Sequence, residues 1–280
     1  MQLRPLSWLH KTSEHTVRTS TEQDILLRRA AEITSVPVTD FILQSACKAA
    51  ELAVLDQRQF FVSGHERRQL IDLQKAEPAP PPALGRLLAI EPPWNGSSAL
   101  RAPEPLIPEH SIHQFDCGKH ALNDWLTHRA RLTQLKGSAK TFVVPVQQRV
   151  IAYFSLTVGQ IDSRELPAHG SITLDREQFP VPVILLTRLA VDQTYQGKGI
   201  GRALLREVLM HTLAVAEQAG VEALLTQPLN EQAAHFYMAH GFVQSPAAYK
   251  QLLLTIGDIQ AAKAALGTSQ PGAALSAAKQ

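Results

Sequence analysis

A glycine-rich turn between an apolar run and an amphipathic segment is the feature that most constrains this chain. Residues 184–191 read Ile-Leu-Leu-Thr-Arg-Leu-Ala-Val, which is typical of a buried strand, and Gly197, Gly199 and Gly201 follow before a helical pattern begins. Glycines let several backbone N–H groups point at one spot, and a helix N-terminus adds partial positive charge there. The spacing matches neither GxGxxG nor the Walker loop. The turn therefore predicts an anion site that fits a pyrophosphate.

The rest of the second half of the chain alternates strand-like and helix-like segments. This alternation predicts an α/β or α+β sheet domain that begins near Pro103. The helix candidates are 121–135, 201–219 and 231–240, and the strand candidates are 141–146, 150–158, 183–191, 222–226 and 251–256.

The first half begins with a pattern of one strand and two helices. A short strand-like stretch, 16–19, precedes a helix that starts at Ser20 or Thr21 and stops before Pro37. A second helix starts near Thr39–Asp40 and carries apolar residues as far as Leu55. A unit of this size cannot bury its own core, so we expect it to pair with a second copy.

Between these two halves, the periodic spacing of apolar residues is less regular. Residues 56–73 are compatible with a further short helix, and 78–82 form a proline-rich spacer. A short apolar segment, 84–90, follows, and Asn95-Gly-Ser-Ser-Ala99 has the composition of a flexible linker. We place the boundary between the two halves of the chain at this linker.

Composition excludes several classes of protein. No apolar run approaches the roughly 20 residues that span a bilayer, and the N-terminus has no signal-peptide pattern. Cys47 and Cys117 match no metal or redox spacing, and the eleven histidines form no HExxH pair. We expect a cytoplasmic protein with reduced thiols, no metal and no membrane partner.

Charge is distributed unevenly although the net charge is only +2. No Asp or Glu occurs between Trp125 and Ile161, so this stretch is either a phosphate-holding face or an ordinary solvated helix face. Its basic residues are Arg129, Arg131, Lys136, Lys140 and Arg149.

Two motifs resemble the GNAT acetyltransferases. The order Gln-x-x-Gly-x-Gly after a strand ending in Leu-Ala-Val resembles their motif A, and Phe236-Tyr237 followed by Gly241-Phe242 resembles their second hallmark. The resemblance implies acetyl-CoA as cosubstrate and Tyr237 as the catalytic residue that protonates the departing thiolate. It also implies cofactor contacts from Leu189, Ala190, Val191, Gln196, Gly197, Lys198, Gly199, Ile200, Gly201, Arg202 and Asn230.

A narrower resemblance covers residues 103–259. Phe115-Asp-Cys-Gly118, Arg188-Leu-Ala-Val-Asp192 and Gly241-Phe-Val-Gln-Ser-Pro246 resemble the GNAT toxins of type II toxin–antitoxin pairs, which acetylate the α-amine of aminoacyl-tRNA. The first half, through Thr39-Asp-Phe-Ile-Leu43 and Leu55-Asp-Gln-Arg58, resembles their ribbon-helix-helix antitoxins. The chain therefore reads as a natural antitoxin–toxin fusion.

The resemblance implies an α+β protein with three parts. Residues 1–55 are a ribbon-helix-helix domain for dimerisation and DNA binding, 56–102 a toxin-neutralising extension and linker, and 103–280 a GNAT fold with a mixed, mostly antiparallel sheet flanked by helices. Its partners would be aminoacyl-tRNA, operator DNA and a second copy or more of itself. The residues implied in tRNA binding are Arg129, Arg131, Lys136, Lys140 and Arg188, and those in DNA binding are Thr16 and Arg18.

Two positions depart from the toxin pattern. Thr187 stands where the family usually has glycine, and Gln227-Pro228 replaces a His-Ala-like pair, which removes one N–H near the coenzyme arm.

The residues suggest direct transfer to an amine in a ternary complex, because no acid or histidine is obviously placed as a base. An α-amine with a pKa of about 7.7–8.0 needs little help at neutral pH, unlike a lysine amine near 10.4. Two alternatives stay open. The chain could acetylate protein or small-molecule amines and use its N-terminal part as a dimerisation module, or it could be a repressor with an inert acetyltransferase domain.

Overall fold

The computed structural model describes residues 15–96, 100–163, 180–246 and 250–268. The chain divides into two compact units, one ending at Ala50 and the other beginning at Glu51. The second half of the predicted linker, 97–99, lies outside the described residues.

The first unit contains helix α1, Thr21–Thr34, and most of helix α2, Val38–Leu55. The predicted helix start is confirmed: Ser20 caps α1 in a capping box, where its hydroxyl accepts from the Gln23 N–H and the Gln23 side chain accepts from the Ser20 N–H. Apolar side chains of α1, including Ile25, Leu26 and Ile33, are exposed. This exposure agrees with the prediction that one copy cannot bury a core here.

The strand predicted at residues 16–19 is wrong for the single chain. Residues 15–20 have no regular secondary structure, and their side chains are exposed. A strand needs a neighbour to pair its backbone N–H and C=O groups, and the described residues of a lone copy of this unit offer none.

The second unit is built on a mixed sheet that has eight strands in the described ranges. The order is β2-β3-β4-β5-β6-β8-β7, and β1 pairs with β4 outside this path. Strand pairs are antiparallel except β1 with β4 and β5 with β6. The strands are β1 Gln59–Val62, β2 Glu104–Pro105, β3 Lys140–Val146, β4 Arg149–Ser163, β5 Val181–Val191, β6 Ala223–Thr226, β7 Val243–Gln244 and β8 Leu252–Thr255.

Helices flank this sheet, and the predicted ones lie close to their expected bounds. They are α3 Gly64–Lys75, α4 Pro82–Leu88, α5 His120–His128, α6 Ala130–Leu135, α7 Ile200–Ala219, α8 Glu231–Ala239 and α9 Ile256–Thr268. The predicted helix 121–135 is interrupted at Arg129, which leaves helical geometry at φ −120° and ψ −30°. No sequence pattern predicted α9. None of the described helices is long and apolar enough to cross a membrane.

The single helix suggested for residues 56–73 is also wrong, because β1 precedes α3. Phe60 and Val62 alternate with exposed neighbours and are buried, which is the period of a strand. β1 continues the edge of β4 beyond the point where β3 ends, pairing Gln59 with Gln160. Gly159 permits this approach, since a Cβ there would lie 2.7 Å from the Arg58 carbonyl oxygen.

The segment that follows β1 is part of the main core. Leu84, Leu87 and Leu88 of α4 and Trp94 are buried in the same apolar cluster as the inner face of α7. Burial of each such side chain stabilises the fold by about 1.5–3 kcal/mol. Residues 84–94 are therefore an integral layer of the acetyltransferase unit.

Candidate active site

The sheet opens beside β5, and this opening creates the site. β5 shifts register against β4 between Ser155 and Leu156, so that Thr187 is an extra residue on β5. On its other side, β5 pairs with β6 only as far as Leu186 opposite Thr226. Beyond Leu186, no strand of the described residues pairs with this edge of β5, and its backbone groups are available to a ligand.

A cleft of about 620 Å³ occupies this opening. It is bounded by the end of β5, the glycine-rich turn and the start of α8. The predicted site residues that line it are Arg188, Leu189, Ala190, Val191, Gln196, Gly197, Gly201, Asn230 and Tyr237. Thr187 and Pro228, the two departures from the toxin pattern, line it as well.

The turn before α7 has the geometry of an anion site. Gly197 and Gly199 have φ of 73° and 81°, a region that disfavours other residues. Gly199 is the N-cap of the 20-residue helix α7, and as a glycine it has no side chain to cap the first-turn N–H groups. These amides and the helix dipole suit a pyrophosphate, so the residues present fit the phosphate end of coenzyme A.

Asp192 holds the chain in position as it leaves β5 for this turn. Its buried carboxylate accepts hydrogen bonds from the Thr194 N–H and hydroxyl, from the Asp116 N–H and from Arg149. Burial alone would raise the pKa of Asp192, but these hydrogen bonds hold it below the usual value. The 192–196 turn is thus fixed before a ligand arrives.

Asp116 and Gln196 tie the same turn to the loop before α5. The Gln193 N–H donates to the Asp116 carbonyl at 2.8 Å, and the Gln196 side chain donates to the carbonyls of Cys117 and Val191. Backbone donation from Gly118, followed by the Asn123 side chain, lowers the pKa of Asp116. Sequence reasoning missed this role for Asp116, although the residue lies in the quoted Phe-Asp-Cys-Gly motif.

Several predicted cofactor residues face other groups. The Lys198 ammonium donates to the Thr194 carbonyl and lies over the Tyr195 ring, and the Ile200 side chain is buried in the core. The Asn230 side chain caps α8 by accepting from the Ala233 N–H at 2.9 Å. Arg202 is exposed beside the turn. For Lys198 and Ile200, the backbone amide rather than the side chain is therefore the group that is available to a phosphate.

Tyr237 also lines the cleft, and we call the part of the cleft around it the reactive end. Its ring packs against Phe236 and Phe242, and its hydroxyl is hydrogen-bonded to the Thr226 side chain. Burial raises the pKa of Tyr237 to about 12, and the Thr226 hydrogen bond opposes this only partly. The phenol therefore stays protonated at neutral pH and can donate a proton.

Arg188, which lines the cleft, pairs with Asp56. The Arg188 Nη2 donates to the Asp56 Oδ1 at 2.6 Å, and the guanidinium stacks over the Trp125 ring at 4.2 Å. The Arg129 Nη1 lies 3.6 Å from the Asp56 Oδ2. Burial lowers the pKa of Arg188, and the Asp56 carboxylate opposes that shift. No sequence signal pointed to Asp56.

The other predicted nucleic-acid residues are dispersed. Arg131 donates to the carbonyls of Pro108 and His110 and so fixes the loop before α5. Lys136 and Lys140 are exposed, at the end of α6 and the start of β3. Thr16 and Arg18 are exposed in the first unit. Among the described residues, no cluster of three His, Cys, Asp or Glu could hold a metal ion.

Two family models match separate parts of the chain. Residues 16–92 match the model described as antitoxin TacA 1-like, and residues 139–244 match the acetyltransferase (GNAT) domain.

Relatives and solved structures agree with this division. A tRNA-acetylating toxin of Mycobacterium tuberculosis is 32% identical over 59% of this chain and 97% of its own length. Antitoxin TacA1 of Salmonella typhimurium is 39% identical over 28% of this chain and 83% of its length. The crystal structure of AtaTR bound with acetyl-CoA shares the fold, with a TM-score of 0.53 at 24% identity over 59% of this chain and 98% of the other.

The expected fold class is confirmed by these matches together with the mixed sheet and its flanking helices. One polypeptide carries both halves that occur as separate proteins in the relatives. The chain belongs to the GNAT tRNA-acetylating toxin family and, through its N-terminal part, to the TacA1-like antitoxin family, and it is an acetyl-CoA-dependent N-acetyltransferase fused to its antitoxin.

Proposed function

We propose that this chain transfers acetyl from acetyl-CoA to the α-amine of an aminoacyl-tRNA and thereby blocks translation, and that its N-terminal antitoxin part restrains it. The observation that carries the proposal is one cleft that is lined both by the glycine-rich turn before α7 and by the buried phenol of Tyr237. The 32% identical relative named a tRNA-acetylating toxin supports the choice of acceptor.

The coenzyme is held chiefly by backbone. Amides of residues 197–201 would bind its pyrophosphate, and the unpaired edge of β5 at Leu189, Ala190 and Val191 would meet the thioester carbonyl. Hydrogen bonds to this carbonyl stabilise the charge that develops on its oxygen during attack. Asn230 and the Gln196 side chain position the neighbouring backbone.

Transfer then requires little proton chemistry. The neutral α-amine attacks the thioester carbon, the C–S bond breaks, and Tyr237 protonates the departing sulfur. The amine loses its proton to water, and the phenol is restored from solvent. An α-amine has a pKa near 7.7–8.0, so positioning takes the place of a strong base.

Electrostatic contacts with tRNA would come from Arg129, Arg131, Lys136, Lys140 and Arg188. Such contacts release counterions, so binding should weaken steeply as salt rises. Thr16 and Arg18 are proposed to contact operator DNA once two copies pair their ribbon strands. We retain 1–55, 56–102 and 103–280 as the functional division of the chain.

A labelled-acetate assay on the full chain tests this function. Residues 103–280 alone are a poor substitute, since α4 and Trp94 belong to the core of the acetyltransferase unit. The full chain is incubated with labelled acetyl-CoA and charged tRNA, deacylated tRNA or a lysine peptide. Label on charged tRNA that leaves with the amino acid on mild alkaline hydrolysis supports the proposal. Label on the peptide instead would favour a protein acetyltransferase.

A further inference from the structure

Asp56 is the first residue after α2, and its carboxylate pairs with Arg188 in the lining of the cleft. We call this part of the cleft the acceptor end. Its carboxylate joins two arginines that are distant in the sequence: Arg188 at 2.6 Å and Arg129 at 3.6 Å. The preceding residue, Leu55, is buried and lines the cleft with Arg188 and Tyr237. The end of the antitoxin helix therefore forms part of the wall of the cleft, next to Arg188.

The Arg188 guanidinium is unusual among the described basic groups that line the cleft, because it is buried and only partly satisfied. The side chain is 3% exposed, and its Nε has no hydrogen-bond partner among the described residues. Taking a charge out of water is costly unless an opposite charge pairs with it. Removal of Asp56 would leave this cation unpaired, so a state with the acceptor end open needs another anion at the same point.

The position of Arg188 and the geometry of its guanidinium group indicate the chemical class of this anion. Arg188 immediately precedes the residues of β5 that line the reactive end, so an anion on it lies beside the reacting amine. A guanidinium fork with a free Nε and a donating Nη2 fits the two terminal oxygens of a phosphodiester. Stacking on Trp125 at 4.2 Å fixes the plane of the fork, and Arg129 adds a second positive charge.

We propose that Arg188 and Arg129 form a subsite for a phosphodiester at the acceptor end of the cleft, and that the Asp56 carboxylate occupies this subsite as an internal competitor. The proposal rests on the proposed function and names the contact through which the fused antitoxin excludes the acceptor. The glycine-rich turn takes no part in it, so acetyl-CoA binding is not in competition with Asp56. Asp56 is 45% exposed, and its contacts can exchange without unpacking α4.

The segment around Asp56 is held firmly enough to make the competition effective. The Gln160 N–H donates to the Arg58 carbonyl at 3.0 Å, and the Gln227 side chain donates to the Gln57 side chain. β1 then adds four residues to the edge of β4. These contacts keep the carboxylate at a high local concentration beside Arg188.

The test compares Asp56→Asn with Asp72→Asn in the full chain. Asp72 is an exposed acid of α3, in the same antitoxin-derived region, and serves as the matched control. Binding of deacylated tRNA and of a trinucleotide with the CCA sequence is titrated with each variant, and acetyl-CoA binding is titrated in parallel. We expect Asp56→Asn to bind both nucleic acids about tenfold more tightly than the control, with acetyl-CoA affinity unchanged within about twofold.

Two further variants separate a charge effect from a loss of structure. Asp56→Glu should restore most of the exclusion, and Arg188→Gln should abolish the gain that Asp56→Asn produces. Equal trinucleotide affinity in Asp56→Asn and Asp72→Asn, with both variants melting like the parent chain, would overturn the proposal. An equal gain in the acetyl-CoA affinity of Asp56→Asn would also overturn it, because Asp56 would then obstruct the whole cleft and not the phosphodiester subsite alone.

The binding readout also separates this proposal from the proposed function. If no variant acetylates charged tRNA but Asp56→Asn still gains trinucleotide affinity through Arg188, the subsite stands and the assigned reaction fails. If charged tRNA is acetylated equally by Asp56→Asn and Asp72→Asn and the affinities do not differ, the reaction stands and the subsite fails.

Discussion

The two ends of the cleft are built in different ways. The coenzyme end consists of backbone amides placed by Gly197, Gly199 and the start of α7, and hydrogen bonds to Asp192 fix it in advance. The proposed acceptor end consists of side-chain charges: Arg188 lines the cleft, and it pairs with Asp56, which is 132 residues away in the sequence. Under this proposal, acetyl-CoA can bind to a preformed site while the antitoxin part blocks the acceptor. Such an arrangement suits an enzyme that holds its coenzyme but must not react.

The largest effect is expected at the reactive point between the two ends. Tyr237→Phe should reduce the transfer rate by about a hundredfold, because the departing thiolate loses its proton donor. Acetyl-CoA affinity should stay within about twofold, since the ring and its packing remain. Single-turnover transfer and acetyl-CoA titration measure the two quantities. An unchanged rate would remove Tyr237 from the mechanism.

At the coenzyme end, Gly199→Ala should raise the KM for acetyl-CoA about tenfold. Alanine disfavours the φ of 81° at this position by roughly 1 kcal/mol, and any relaxation moves the first amides of α7. Gly137→Ala is the control, because Gly137 has a φ of 67° and open space around it but lies outside the cleft lining. If both variants raise the KM for acetyl-CoA equally, backbone strain explains the effect, and the position of Gly199 at the coenzyme end does not.

A smaller effect is expected from the hydroxyl that supports the phenol. Thr226→Val removes the hydrogen bond to Tyr237 and the one that Thr226 donates to the Leu186 carbonyl. The turnover number should fall about threefold, while KM for acetyl-CoA changes little. Thr212→Val is the matched control, as Thr212 is a buried threonine that donates to a carbonyl within α7. A similar loss of turnover in both variants would mean that only stability changed.

The pH profile should show the smallest effect of all. The rate should rise with pH as the α-amine loses its proton, with a midpoint at or below about 8. Tyr237 acts in its protonated form, and burial raises its pKa to about 12, so its contribution persists below that value. We expect no falling limb up to about pH 10. A fall with a midpoint near 9 that Tyr237→Phe abolishes would contradict this assignment.

Local signals predicted the coenzyme end better than the acceptor end. Strand, glycine turn and helix are adjacent in the sequence, and their bounds in β5 and α7 differ from the prediction by at most two residues at each end. The start of α1 at Ser20 or Thr21 was likewise predicted, and Ser20 is the residue that caps the helix. In these cases the residues that determine the local structure lie within a few positions of that structure in the sequence.

Long-range contacts explain what the sequence did not reveal. β1 exists because its backbone pairs with β4, about a hundred residues away, and a four-residue strand has no strong local signal. In the sequence, Asp56 resembles an ordinary acidic residue after a helix. Its contact with Arg188 is formed only in the folded chain. Conversely, the strand-like stretch 16–19 has no strand partner among the described residues of a single chain.

The most direct measurement compares the affinities of acetyl-CoA and S-acetylpantetheine, which has the same thioester but no pyrophosphate. If the amides at 197–201 hold that pyrophosphate, acetyl-CoA should bind the full chain at least about tenfold more tightly, and Gly199→Ala should shrink the difference. Equal affinities for the two thioesters, or a difference that Gly199→Ala leaves intact, would contradict the account.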